Sequence, residues 1–185
     1  MAGGKNTGML LILSFLLISC ASEKSKIAES DYFNYTSSVI KTKGAKTVLA
    51  ELYNSPKEWG RLLENIKVGS GKGFAIAEEL HKFSDSGSSE ELSLAVGEGL
   101  FNSPEAGLEF LSKTKEFSVN SVCGNVDDKF ATTAEEEEKE IFRRKKILEG
   151  IKRSHNDTIK QQCLMALNEL ESSIPWAFGA VQQGQ

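Results

Sequence analysis

The apolar pattern of this chain predicts an all-α fold, a compact domain of about seven to eight short helices. Three observations carry that expectation. Only three prolines interrupt the 185 residues. Runs of β-branched residues are scarce, and apolar residues recur at three- and four-residue spacing between breaks rich in Ser, Gly and Pro. Short helices joined by tight turns can bury their apolar stripes only against one another, which gives layers of packed helices.

Taken in order, Tyr32, Phe33, Tyr35, Val39 and Ile40 mark a first segment, either a helix or an extended lead-in, closed by Gly44. Val48, Leu49 and Leu52 define a helix over 45–53. Asn54-Ser55-Pro56-Lys57-Glu58 opens the next. Ser55 caps it, Pro56 takes the first position where its missing N–H costs nothing, and Glu58 completes a capping box. Trp59, Leu62, Leu63 and Ile66 form its buried face, and Gly69-Ser70-Gly71 ends it. Phe74, Ala77, Leu80 and Phe83 predict a further helix, stopped at Ser84-Asp85-Ser86-Gly87-Ser88. In the following helix Ser88 or Ser89 caps, Glu91 reciprocates, and Leu92, Ala95, Val96 and Leu100 face inward.

Asn102-Ser103-Pro104-Glu105 repeats the earlier opener, and Leu108, Phe110, Leu111 and Phe117 continue the apolar face. Val119, Val122 and Cys123 follow at helical spacing, before a polar, acidic loop over 124–132. Thr133-Ala134-Glu135-Glu136 is another capping box, opening a long helix that carries Ile141, Phe142, Lys145, Leu148 and Ile151. Ser154-His155-Asn156-Asp157 breaks it. Ile159, Cys163, Ala166, Leu167, Leu170 and Ile174 then share one face of the last helix, which Pro175 ends before Trp176 and Phe178.

Aligning Leu52-Tyr53-Asn54-Ser55-Pro56 with Leu100-Phe101-Asn102-Ser103-Pro104 gives an offset of 48 residues, which also matches Val48 with Val96 and Leu63 with Leu111. Stacked, HEAT-like helix pairs show such a period. An irregular helical domain that uses one helix opener twice shows it as well.

Ahead of these elements, Lys5 precedes an apolar run from Met9 to Cys20. That run falls short of the roughly 20 apolar residues of a comfortable spanning helix and has the shape of a secretory signal. Leu17-Ile18-Ser19-Cys20 resembles the lipobox of bacterial lipoproteins, in which a Leu, a variable residue and a small residue precede a cysteine. The resemblance implies cleavage before Cys20, diacylglycerol on its thiol, acylation of the new amino terminus, and a bilayer as the first partner. In that family an Asp after the cysteine commonly signals inner-membrane retention. Ala21 stands there instead, which implies the periplasmic face of an outer membrane. Two other readings compete: ordinary signal-peptidase cleavage before Ser22, with no lipid, and a buried helix. The expected organisation is a signal peptide over 1–19, a polar tether over 20–31, one helical domain over 32–178 and a disordered tail over 179–185.

The three cysteines fit this address. With Cys20 lipidated, Cys123 and Cys163 remain as an even pair, expected to oxidise outside the cytoplasm. A bridge between them would close a loop of about 40 residues, worth on the order of 4 kcal/mol in the chain-entropy model; two buried free thiols are the alternative. Removing Lys5 with the signal takes the net charge from −4 to −5. A mildly acidic surface argues against nucleic acid, which wants a basic face. Glu135 to Glu138 and Glu140, followed by Arg143-Arg144-Lys145-Lys146, read as a solvated helix face that suits the helix dipole. The sharper alternative is a basic patch for anionic headgroups or a protein partner.

No constellation assigns a chemistry. Gly-x-Ser-x-Gly and His-Glu-x-x-His are missing, and Gly69-Ser70-Gly71-Lys72-Gly73 lacks the spacing of a phosphate loop. His81 and His155 each stand alone, so neither a metal set nor any cofactor is expected, and no catalytic residue is assigned. His81 with Glu78 or Glu79, or Cys163 with His155, lacks a third orienting group. The expectation is therefore a membrane-anchored protein-binding domain, for example an immunity or inhibitor protein. A structural or envelope-assembly lipoprotein is the second class. An enzyme acting on envelope polymers is the third, and it would need a site assembled from scattered Asp, Glu and Ser.

Overall fold

The computed structural model describes residues 31–126, 132–152 and 156–179, the last five as backbone alone. Among these residues there are nine helices and no strand: α1 (31–43), α2 (Ala45–Tyr53), α3 (Pro56–Lys67), α4 (Gly71–His81), α5 (Ser86–Asn102), α6 (Pro104–Leu111), α7 (Val119–Cys123), α8 (Ala134–Gly150) and α9 (Asp157–Gly179). Residues 1–30, where the signal, the tether and lipidated Cys20 are expected, and the expected tail from residue 180 lie outside the described residues, as do 127–131 and 153–155. The all-α expectation holds, and the aromatic lead-in is a helix. Phe33 of α1 is fully buried, and Gly44, at a φ of 83° that glycine tolerates without cost, turns the chain into α2.

Helix α5 is the centre. It packs against α3, α4, α6, α7 and α8, and Leu92, Ala95, Val96, Leu100 and Phe101 are buried along it. Its glycines admit neighbouring backbones. A Cβ on Gly97 would meet the Val122 carbonyl oxygen of α7 at 2.5 Å, and one on Gly99 would meet that of Ile66 in α3 at 2.7 Å. Helix α9 closes the domain from the other side, against α6, α7 and α8. The helices thus surround α5 more than they stack in file, although the 48-residue period extends to a second pair of helix starts. Ser70 caps α4 by accepting from the Gly73 amide at 3.2 Å, and Ser118 caps α7 by accepting from Ser121 at 3.0 Å.

Local expectations are corrected at several ends. Ser55 stands at the N-cap of α3, but its side chain accepts no capping hydrogen bond. Asp85 caps α5 in place of Ser88 or Ser89, with Ser88 as the reciprocal partner (2.9 and 3.1 Å). A carboxylate caps as well as a hydroxyl and suits the positive helix end, so the helix begins earlier. Phe83 lies past the end of α4, where helical spacing no longer applies, and is 50% exposed. Helix α9 runs through Pro175 to Gly179; proline forfeits one N–H bond, and the helical backbone continues past it. Thr133 does cap α8, accepting from the Glu136 amide at 3.2 Å.

Candidate functional site

Two places gather polar and charged side chains against the core. One is on α8, whose buried stripe is Ile141, Arg144 and Leu148. Arg144 is 1% exposed and so departs from the solvated face that Arg143 and Lys146 keep, and Phe142, one step round the helix, is turned out to 61% exposure. The Arg144 guanidinium donates to Glu140 at 2.8 Å, to the Asn125 carbonyl at 2.7 Å, and to Glu98 of α5. It also lies 4.6 Å over the Phe101 ring. Arg143 grips Glu140 with two bonds of 2.7 and 2.6 Å. Burial alone would raise the Glu140 carboxyl, but the hydrogen bonds and charge of the two arginines outweigh it and hold it below its ordinary value. Lys145, next along, is engaged by Glu171 at 2.7 Å. Two cations and two carboxylates pair with one another in this cluster, Arg144 wholly buried and Arg143 partly exposed. It pins α8 to α5.

The other place is a cleft of about 340 Å³ where α1, α2 and α3 meet. Val39, Val48 and Leu52 give it apolar walls, with Tyr32 and Tyr35 on α1 and Glu51 and Glu58 opposite. Lys43 at its rim is taken by Glu51 at 2.8 Å. Glu58 is half-buried and makes no hydrogen bond or ion pair among the described residues. Ser55 makes no side-chain cap on α3 and the expected box does not form, so the Glu58 carboxylate lines the cleft instead. Arg61 sits 4.5 Å over the Tyr32 ring, and burial pushes that phenol above its ordinary value, so it remains neutral. Tyr35, 70% exposed, has no cation over its ring among the described residues. The cleft thus offers a carboxylate without a hydrogen bond among the described residues, an open aromatic face and an apolar floor. Its volume falls at the low end of the range typical of ligand sites, roughly 300–1,000 Å³.

A third polar contact joins α4 to α5. His81 Nε2 and Ser89 Oγ share a hydrogen bond of 2.8 Å, and Phe117 packs on the imidazole with centroids 4.3 Å apart. Burial lowers the His81 imidazole below its ordinary 6.5, with the charge of Glu116 opposing. Among the described residues no carboxylate hydrogen-bonds that ring, so the pair lacks the orienting member that a serine nucleophile needs.

No family model, curated protein or solved structure matches the chain.

Of the residues singled out from the sequence, Cys123 and Cys163 are brought together. Both are fully buried, their Cα atoms 5.2 Å apart and their sulfurs at bonding distance. Cys20 and His155 lie outside the described residues. His81 partners Ser89 instead of Glu78 or Glu79. Among the described residues no group of three or more His, Cys, Asp and Glu could hold a metal, and no helix is long and apolar enough to cross a membrane. Sequence reasoning missed Glu98 altogether. Its signal was available: an acid in the middle of the apolar stretch Leu92 to Phe101 requires a cation, and α8 has four in a row.

Proposed function

We propose that this chain is a lipid-anchored protein of a bacterial envelope, held by acylated Cys20, whose helical domain binds a protein partner and turns over no substrate. The observation that carries this proposal is the pairing of Cys123 with Cys163 at bonding distance. An oxidised pair suits an extracytoplasmic address, and it leaves Cys20, in Leu17-Ile18-Ser19-Cys20, as the odd thiol for the lipid. Support for binding over catalysis comes from the ionic cluster, whose charges pair with one another, and the unoriented His81–Ser89 pair. A braced, preformed helical domain also loses little freedom on docking, which favours tight stoichiometric capture. An immunity or inhibitor protein is the sharper version of this role, with the periplasmic face of an outer membrane as its address.

The test is intact mass of the protein extracted from membranes of a bacterial host, before and after reduction. The expected result is a mature chain beginning at acylated Cys20, gaining the mass of two hydrogen atoms on reduction. A chain that retains its first nineteen residues and carries free thiols would overturn the envelope address. Cross-linking in the intact envelope then tests the role. The expected product is a defined one-to-one adduct; its absence from every surface position tried would overturn protein binding.

A further inference from the structure

The cleft between α1, α2 and α3 has a charge and shape that go beyond a generic binding role. We infer that it takes a lysine or arginine side chain of the partner protein, so this inference rests on the protein-binding proposal. Three observations converge on that occupant. Glu58 lines the cleft half-buried and unpaired among the described residues, while Lys43 already neutralises Glu51. Of the two cleft carboxylates, Glu58 is thus the one that no lysine or arginine hydrogen-bonds, Arg61 being held over the neighbouring Tyr32 ring. The open ring of Tyr35 supplies the aromatic face that a cation prefers, and Arg61 over Tyr32 shows within this chain how a guanidinium sits on such a ring. Val39, Val48 and Leu52 provide apolar surface for the methylene stem of a long basic side chain.

The position of Glu58 adds to this. It occupies the third residue of α3, where a glutamate normally turns back to the cap, yet no side-chain cap forms there. Its carboxylate is half-buried in the cleft wall with no hydrogen-bond partner among the described residues, which leaves it open to a cation. Phospholipid headgroups are the poorer occupant, because each brings a phosphate that Glu51 and Glu58 would repel.

The experiment uses the full lipidated protein in detergent micelles, with ¹⁵N-resolved NMR titration by Nα-acetyl-arginine amide and, as the uncharged analogue, Nα-acetyl-norleucine amide. Expected are shifts centred on Tyr32, Tyr35, Val39, Leu52 and Glu58 with the arginine probe and none with norleucine. Glu58→Gln should weaken arginine binding by about tenfold or more, the scale of a charge-assisted hydrogen bond. Tyr35→Ala should weaken it as well, and Glu138→Gln on α8 should leave it unchanged. All three positions are partly or fully exposed, and an otherwise superposable spectrum verifies that each variant is folded.

Equal binding by Glu58→Gln, or shifts spread evenly over the surface carboxylates, would overturn the cleft. So would stronger shifts with phosphatidylethanolamine vesicles than with the arginine probe. In the envelope, a photo-cross-linker at position 35 should react within a segment of the partner that contains Lys or Arg. Adducts from another face with none from position 35 would overturn this inference and leave protein binding standing. No adduct from any position would overturn the protein-binding proposal itself.

Discussion

At the α2–α3 corner, Trp59 lies edge-on to Tyr53, with centroids 5.2 Å apart, and donates its indole N–H to Glu91 of α5 at 2.7 Å. At the matching position 48 residues on, the α5–α6 corner carries Gly107, and a Cβ there would fall 2.6 Å from the Leu100 Cα. One corner is built around a large side chain that reaches to the central helix. In the other, two backbones touch. Glu58 beside Trp59 lines a cleft, while its counterpart beside Gly107 is Ala106, which carries no charge. A shared helix opener thus sets where two helices begin, and the residue three positions later decides how closely they approach. Closeness serves the core, and the looser corner leaves a cleft open.

The largest effect should come from the polar link that locks the second corner to α8. Arg144→Ala would leave Glu98 buried and stripped of its main partner, at a cost of about 3–5 kcal/mol, read from urea melts. Replacing both residues by apolar ones, as in Glu98→Leu with Arg144→Met, should recover most of that loss. If the single and double variants were equally unstable, the cluster would owe its worth to something other than charge compensation.

The same cluster marks where the sequence stopped being legible. Helix starts were readable because caps and Ser-Pro openers act over a few residues: Thr133 caps α8, and the Ser-Pro corners fall where expected. Cys123 and Cys163 were readable because their apolar neighbours share their helical faces. Arg144 was not, because a charged run looks alike whether water or Glu98 faces it, and the partner lies 46 residues away. Glu58 misled for the opposite reason: its capping-box spacing was ideal, and only the folded chain shows the carboxylate in a cleft. Phe83 has the spacing of the α4 stripe but turns outward past the end of that helix, and Phe142 is exposed where its neighbour Arg144 is buried.

Next in size is the contact that distinguishes the corners most directly. Gly107→Ala places a methyl group into the Leu100 backbone and should cost about 1–3 kcal/mol. Gly60→Ala on α3, where a Cβ meets nothing within 4 Å, should instead stabilise by up to about 1 kcal/mol through helix propensity. Equal effects from the two would mean that the second corner is not closely packed. Trp59→Phe keeps the ring and deletes the bond to Glu91, so a loss of about 1 kcal/mol is expected. Its thermal melt should be insensitive to Glu91→Gln made in the same background.

Acid should loosen the two regions through different groups. The Glu140 carboxyl is held below its ordinary 4.5 in the folded state, so its contribution is full above that value and is lost as pH falls through the folded pKa. His81 is depressed below 6.5 by burial, so the unfolded chain takes up its proton first. Stability therefore falls as pH drops from above 6.5 towards the folded value, and flattens below it. A His81→Gln variant should lose the step that begins near 6.5 in the wild-type stability profile, while keeping the loss at lower pH that the pairing of Arg143 and Arg144 with Glu140 imposes.

The smallest effect is the most informative. Glu58→Gln removes a charge that no described residue hydrogen-bonds and that lies against apolar walls. Its stability should change by less than about 0.5 kcal/mol in either direction, as for a surface site outside any packing or pairing mechanism. A carboxylate retained for folding would behave like Glu98, whose loss leaves a buried guanidinium short of a partner. One retained for binding costs the fold nothing when replaced. A drop of several kcal/mol in Glu58→Gln would make the two acids alike and return Glu58 to the scaffold, whereas a neutral melt with weakened arginine binding sets them apart as brace and receptor.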